Sequence, residues 1–275
     1  MTDVTIVIPT RERVDYLRIA LHSVLASAAE AAVDGVTTRV LVVDDASPTD
    51  ATQRLCTELG VDCERIAVHS GRKNPAAAIV LGVARVESTW YSLFGDDDVM
   101  LPRFIRAHVE QLRAGADVCT SSFLRTDANL VTTREVTLPE PVLGDLLANA
   151  MTINDGAMTR TALVRDVRWD AGLAQQLLLP VWLELLYRGT TFARLTEPTF
   201  LYRRHDANVS DLVDEAELAL RQPIVDEYRS RVFARDGFIP DPTPKAPSRA
   251  PGQSAPAWRR AAGRAKRSLT GRLER

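Results

Sequence analysis

Short apolar runs alternate with amphipathic stretches along the first 122 residues. Residues 4–8 form a β-branched run stopped by Pro9-Thr10. Val14, Leu17, Leu21, Val24 and Leu25 then recur at helical spacing. Residues 39–43 read as a second buried strand and end in Asp44-Asp45. Ser47-Pro48-Thr49-Asp50 predicts a turn and a helix start, with Ser47 or Thr49 as cap and a helix running through Leu55 and Leu59. A third strand is expected at residues 65–68, and Pro75 opens an alanine-rich helix ending near Val86. The aromatic run from Trp90 to Phe94 is strand-like and stops at Gly95-Asp96-Asp97-Asp98. Pro102 starts a helix to about Arg113, and residues 117–122 form a further strand. Strands alternating with helices predict an α/β fold with a parallel sheet and right-handed crossovers.

Composition adds bounds. The chain has 275 residues, 45% hydrophobic and 25% charged, enough for one large domain or two small ones. A net charge of −2 excludes a chain that binds polyanions as a whole. No apolar run is long enough to span a bilayer. The first residues enter a strand pattern at once, without the basic start and apolar core of a signal peptide, so a cytoplasmic protein is expected. Cys56, Cys63 and Cys119 have no metal-type spacing and read as reduced thiols.

The acidic strand ends carry the chemistry. Three adjacent carboxylates repel one another, and burying them is costly unless something positive neutralises them. Hard divalent cations prefer carboxylate oxygens and bridge them to phosphates. The structural alternative is an acidic turn with Asp98 as helix N-cap. In a parallel sheet the ends at Asp44-Asp45 and Asp96-Asp97-Asp98 share one edge, the edge where ligands bind. That convergence favours a metal–diphosphate site. Glycine-rich phosphate loops are absent, so phosphate would be held by metal and basic side chains.

Three stretches taken together resemble the family-2 glycosyltransferases of GT-A fold: Val7-Ile8-Pro9-Thr10-Arg11-Glu12-Arg13, Val42-Val43-Asp44-Asp45-Ala46-Ser47-Pro48-Thr49-Asp50, and Gly95-Asp96-Asp97-Asp98 before Leu101-Pro102. The resemblance covers roughly residues 4–210. It implies a GT-A type nucleotide-binding fold, with a mostly parallel central sheet flanked by helices and a disordered or helical C-terminal tail. It also implies a nucleotide-diphosphate-sugar donor, Mn²⁺ or Mg²⁺, and inverting transfer to a hydroxyl on a glycan, lipid-linked glycan or small molecule. On that basis Pro9, Thr10, Glu12 and Arg13 line the nucleotide pocket. Asp44 accepts a hydrogen bond from uracil or thymine, making the donor a UDP- or dTDP-sugar. Asp96 lies near ribose and metal, and the donor contact that the family takes from an Arg-Asn pair is here either lost or supplied by Arg72 or Lys73. Asp97 is the leading metal ligand, joined by Asp98 and His205 of Tyr202-Arg203-Arg204-His205. Arg203 or Arg204 offsets phosphate charge. Asn154-Asp155-Gly156-Ala157 and Val167-Arg168-Trp169-Asp170 resemble the acceptor side, and Trp182 to Gly189 a long helix with Gly189 as its stop.

Departures from the family concern catalysis. The acidic pair that usually precedes the Trp182 helix and supplies the general base is replaced by Leu177-Leu178-Leu179-Pro180. Asp155, Asp170 and Glu184 are the nearby candidates, Asp155 first. Ile79-Val80 stand where the family usually has Arg-Asn, and Gly95 where many members have the first aspartate of the metal motif. These losses keep a second reading open, a non-catalytic nucleotide-sugar-binding scaffold or regulator of glycan assembly. Nucleotidyl transfer fits poorly, because no glycine-rich triphosphate loop is visible near the N-terminus.

The organisation expected is a nucleotide-sugar half at residues 1–122, an acceptor half of the same domain at 123–238, a proline-rich linker at 239–257 and a basic tail at 258–275. The tail carries seven basic residues against Glu274, with Trp258, Ala262, Ala265, Leu269 and Leu273 on one helical stripe. It reads as a solvated tail or as a weak peripheral contact with an anionic membrane face, with no nucleic-acid role.

Overall fold

The computed structural model describes residues 2–67, 75–148, 152–154, 156–167, 169, 178–206, 208 and 215–242. Val4, Ile6 and Ile8 of β1 (Val4–Thr10) point to one face of a sheet, while Val7 points to the other. The same alternation divides β2 (Thr38–Asp44) and β4 (Trp90–Leu93). One face is covered by α1 (Val14–Ala32), α2 (Ala51–Leu59) and α4 (Phe104–Arg113). The other is covered by α3 (Ala76–Ala84), α5 (Leu143–Leu147), α6 (Leu179–Tyr187) and α7 (Glu215–Asp236). The sheet is therefore the middle of three layers, with a separate apolar core on each side.

The remaining strands are β3 (Asp62–Arg65), β5 (Val99–Met100), β6 (Val118–Thr126), β7 (Thr132–Val136), β8 (Met158–Arg160) and β9 (Phe192–Arg203). Among the described residues the order is β3-β2-β1-β4-β8-β6-β9-β5, with β7 paired to β6. β1 to β4 are parallel neighbours in that order. β8 runs antiparallel to both β4 and β6, so those two share one direction, and β9 is parallel to β6. Six strands thus deliver their carboxyl ends to one edge, and only the short β5, β7 and β8 run the other way.

Two serines of α1 hold the acidic turn between β4 and α4. The first residues of a helix leave backbone N–H groups without partners. α4 has no side-chain cap of its own. Instead Ser27 of α1 accepts the Ile105 N–H at 3.1 Å, and Ser23, one turn earlier, accepts the Met100 N–H at 2.9 Å. Both serines are buried on the inner face of α1. On the other face of the sheet α3 packs close at Gly82, where a Cβ would run into Val7 and Val43. α6 ends in a double hydrogen-bonded stop, with Gly189 N–H to Leu186 C=O and Thr190 N–H to Leu185 C=O, both 3.1 Å, and φ 74° at Gly189.

The structure corrects four local expectations. β3 covers residues 62–65, earlier than the apolar run suggested, because Cys63 and Glu64 pair with Val42 and Val43. α2 starts after Asp50, and neither Ser47 nor Thr49 caps it, since Ser47 is engaged with Asp44. Asp98 is no N-cap, because β5 stands between it and α4. The sheet also carries antiparallel strands beyond β4 that alternation of strand and helix did not reveal. Lys73, Asp155, Asp170 and the tail from residue 243 lie outside the described residues.

Candidate functional site

The shared carboxyl edge collects side chains from four strand ends. After β1 the chain turns through Glu12, which has φ 56°, and after β2 through Ala46, which has φ 50°. Non-glycine residues in this left-handed region are strained, and such strain collects at functional sites. Ser47 links the two turns. Its Oγ donates to Asp44 Oδ1 at 2.5 Å and accepts the Glu12 N–H at 3.1 Å. Asp44 is fully buried, with Ser47 N–H (3.1 Å) also on Oδ1 and Gln53 Nε2 (2.8 Å) on Oδ2. Arg65, from β3, lies 3.7 Å from Oδ2. A carboxylate offers about four acceptor positions, and three donors from Ser47 and Gln53 already use Asp44 to brace its loop.

Asp96, Asp97 and Asp98 are each at most 8% exposed. Burial and the charge of Asp97 push the Asp96 carboxyl up to about 6, against the pull of Arg13 and Thr10. Thr10 Oγ1 donates to Asp96 Oδ2 at 2.6 Å. Arg13 Nη1 bridges Asp96 Oδ1 (3.2 Å) and Asp97 Oδ2 (3.0 Å). Asp97 Oδ2 also lies 2.9 Å from His205 Nε2 and 3.4 Å from Asn208 Nδ2. Asp98 turns the other way and accepts the Arg203 backbone N–H at 2.9 Å, which ties the turn to the end of β9. Gly95 lies beneath them. A Cβ there would sit 3.0 Å from Asp97 Oδ1 and 3.1 Å from Asp98 Oδ2, where it would crowd both carboxylates.

Asn208 fixes the turn after β9. Its side chain accepts the His205 N–H at 2.6 Å and donates to the Arg203 carbonyl at 3.0 Å. His205 stacks on Tyr16 of α1, with ring centroids 4.8 Å apart and 28° between planes. The guanidinium of Arg203 lies over the same ring, 4.7 Å from its centroid. Arg204 leans instead toward Tyr202. Sequence reasoning reached Thr10, Arg13, Asp96, Asp97 and His205, which stand together here. Tyr16 and Asn208 it passed over, because an aromatic in a first helical turn and an asparagine in a loop carry no signal of their own. Pro9 and Glu12 lie on the same rim, in and just after β1.

Glu184 is elsewhere. It faces α7, where Tyr228 Oη donates at 2.6 Å and Arg231 Nη1 at 2.8 Å to Oε2, while Arg188 Nε reaches Oε1 at 2.6 Å. Burial alone would raise its carboxyl, but Arg231, Tyr228 and Arg188 outweigh it and hold the value down to about 2.

The family model for glycosyl transferase family 2 matches residues 5–168, more than half of the chain and all of the strand ends from β1 to β4. The chain belongs to glycosyl transferase family 2. A relative among known proteins is the succinoglycan biosynthesis protein ExoO of Rhizobium meliloti (strain 1021), 26% identical over 157 residues. That match covers 53% of this chain, and the chain spans 43% of the length of that relative. Among solved structures, S. aureus TarS 1–349 in complex with UDP-GlcNAc superposes with a TM-score of 0.60 at 18% identity, over 86% of this chain and 75% of that one. The same protein with UDP gives 0.56, over 86% and 74%. The family-2 chain thus has the GT-A type α/β fold expected of it, and among its described residues no helix is long and apolar enough to cross a membrane.

Proposed function

We propose that this family-2 chain transfers a sugar from a nucleotide-diphosphate donor to a hydroxyl group, with inversion. The observation that carries the reading is the meeting of Asp96, Asp97, Arg13 and His205 at one sheet edge. Pro9, Thr10, Glu12 and Arg13 line the nucleotide pocket, and Asp44 uses its remaining acceptor position on a base N–H. A pyrimidine imide offers that N–H, so UDP or dTDP is the carrier. The UDP and UDP-GlcNAc complexes of the structurally similar TarS support this choice.

The residues fit a divalent cation. Asp97 Oδ2 and His205 Nε2 are 2.9 Å apart. Two neighbouring ligands of an octahedral ion with bonds of about 2.1 Å are separated by about 3.0 Å. Among the described residues no three His, Cys, Asp or Glu side chains form a complete cage. Mg²⁺ is commonly bound by one or two protein carboxylates together with substrate phosphates. Asp97 and His205 would hold Mn²⁺ or Mg²⁺, with Asp96 beside them, while Asp98 is spent on Arg203. When bound, the ion supplies charge stabilisation for the leaving diphosphate. Arg13 holds Asp96 and Asp97 in place, and Thr10 orients Asp96.

The general base is Asp155, within the acceptor half, residues 123–238. Glu184 is a packing carboxylate, since both its oxygens are committed to basic or phenolic partners. The acceptor is a hydroxyl of a growing glycan or lipid-linked glycan, in keeping with the name of the succinoglycan relative. A non-catalytic donor-binding role is the second reading. It is favoured by the buried Leu178, Leu179 and Pro180 at the family's usual base position. Calorimetric titration of UDP, dTDP and GDP with Mn²⁺ and then with EDTA tests the donor site. Metal-dependent binding of one of them is expected, and binding of none overturns the proposal. Transfer or donor hydrolysis that disappears in Asp155→Asn separates the two readings.

A further inference from the structure

The turn between α2 and β3 brings two cysteines together. α2 stops at Gly60, which has φ 67°, and the Val61 N–H closes back on the Cys56 carbonyl at 3.0 Å. The chain then enters β3, where Cys63 stands opposite Val42. Paired residues of a parallel ladder point to the same face, so Cys63 joins Val42 in the core that α2 covers. Cys56 lies on the inner side of α2 and is 1% exposed. Cys63 is half-buried, on the strand that ends the sheet among the described residues. Both are free thiols.

The two sulfurs differ in character. The Cys56 thiol donates to the Cys63 sulfur, and this contact lowers Cys63 from its ordinary value against burial and the charges of Asp44 and Glu64, with Arg65 assisting. The same contact, with burial, raises Cys56. In thiol–disulfide exchange the thiolate attacks, and the reagent must reach it. Cys63 meets both conditions and Cys56 meets neither. Cys119 is fully buried in β6, five strands away in the sheet order, and burial pushes its thiol up to about 12.

The pair stands directly behind Asp44. Gln53, three residues before Cys56 on α2, donates to Asp44 Oδ2 at 2.8 Å. Arg65, two residues after Cys63 and on the same face of β3, lies 3.7 Å from that oxygen and donates to the Ser47 carbonyl. The Ile66 N–H reaches the Asp44 carbonyl at 3.0 Å. Residues next to each sulfur thus hold the Asp44 loop.

We propose that Cys56 and Cys63 form a reversible disulfide, a modification site that fastens the end of α2 to β3 behind Asp44. The oxidant is a low-molecular-weight disulfide of the glutathione class. The Cys63 thiolate attacks one of its sulfurs and expels the other as a thiolate, leaving a mixed disulfide on Cys63. Cys56 then loses its proton, attacks the Cys63 sulfur and expels the second small thiolate. Two cysteine thiols are oxidised, one small disulfide is reduced to two thiols, and the two cysteine protons end on those leaving groups. The site does not depend on the nucleotide reading.

The test uses the full chain, incubated with oxidised glutathione, alkylated and digested without reductant. Trypsin releases Leu55 to Arg65 as one peptide that holds both cysteines. It should appear unalkylated and two hydrogens lighter, and dithiothreitol should restore both thiols. Cys56→Ala should stop at a mixed disulfide on Cys63, and Cys63→Ala should take up no glutathione. In the oxidised wild-type chain, amide exchange at Val61 and Ile66 should slow at least about 3-fold. A wild-type peptide alkylated at both sulfurs, or one that keeps glutathione on Cys63 without closing the ring, would overturn the disulfide. Glutathione on Cys56 in Cys63→Ala would overturn the order of attack. Unchanged exchange would overturn the fastening. The wild-type readouts decide the proposal even if a variant does not fold.

Discussion

At the scale of single residues, Asp97 is where α1 and the turn after β9 meet. Its Oδ2 meets Arg13, His205 and Asn208 at once. Asp97→Ala should abolish metal-dependent nucleotide binding, and calorimetry that finds the affinity unchanged would remove Asp97 from the metal site. His108 gives a prediction about acid. It is fully buried, its Nδ1 lies 2.7 Å from the Phe104 carbonyl, and burial pushes its pKa down to about 4 from an ordinary 6.5. The unfolded chain therefore binds a proton that the folded chain refuses between those values. Stability is full above pH 6.5, falls as pH drops toward 4, and loses on the order of 3 kcal/mol across that window. In His108→Gln, denaturant melts should lack this slope. The triplet was legible in the sequence as a carboxylate cluster at the end of a buried strand, because the apolar run stops there. The division of partners inside it was not, since only the fold decides that Asp98 accepts the Arg203 N–H while Asp97 meets Arg13, His205 and Asn208.

Elements are held by contacts that cross between them. α4 borrows its cap from Ser27 of α1, so Ser27→Ala leaves the Ile105 N–H buried without an acceptor. A cost of about 1–2 kcal/mol is expected from thermal or denaturant unfolding. α6 and α7 are joined at Glu184. Its stabilising ion pairs and hydrogen bond are fully present above the ordinary carboxyl value of 4.5 and are lost as pH falls through about 2. Glu184→Gln should lower stability by about 1–2 kcal/mol, a figure kept small because Arg188 and Arg231 are partly in solvent. Turnover should survive that change. A loss of kcat with an intact melting curve would instead return Glu184 to the list of bases. Helices with a clear apolar stripe, α1 and α4 above all, were readable from spacing. β3 was misplaced because Ile66 and Ala67 look more strand-like than Asp62 and Glu64, yet pairing with β2 selects the polar residues.

At the scale of the whole molecule, the alternation of strands and helices foretold the shared edge, and six carboxyl ends do lie on it. It could not foretell that β9 would be the strand to bring His205 and Asn208 there, because strand order is not written in local pattern. The basic segment at residues 258–275 belongs to this scale as well. A chain shortened to residues 1–242 should bind nucleotide as the full chain does and bind vesicles rich in anionic lipid less well. Equal vesicle binding by both would leave the tail without a membrane role.

The insertion of β9 between β6 and β5 also has a consequence for synthesis on the ribosome. A nascent chain that has released β1 to β4 already owns Thr10, Arg13, Asp44 and the three aspartates. It lacks His205 and Asn208, which emerge about a hundred residues after Asp97. Through that interval Arg13 is the basic neighbour shown for Asp96 and Asp97 among the residues already released. On the proposed reading, translation order delays the donor site until the late strand has docked.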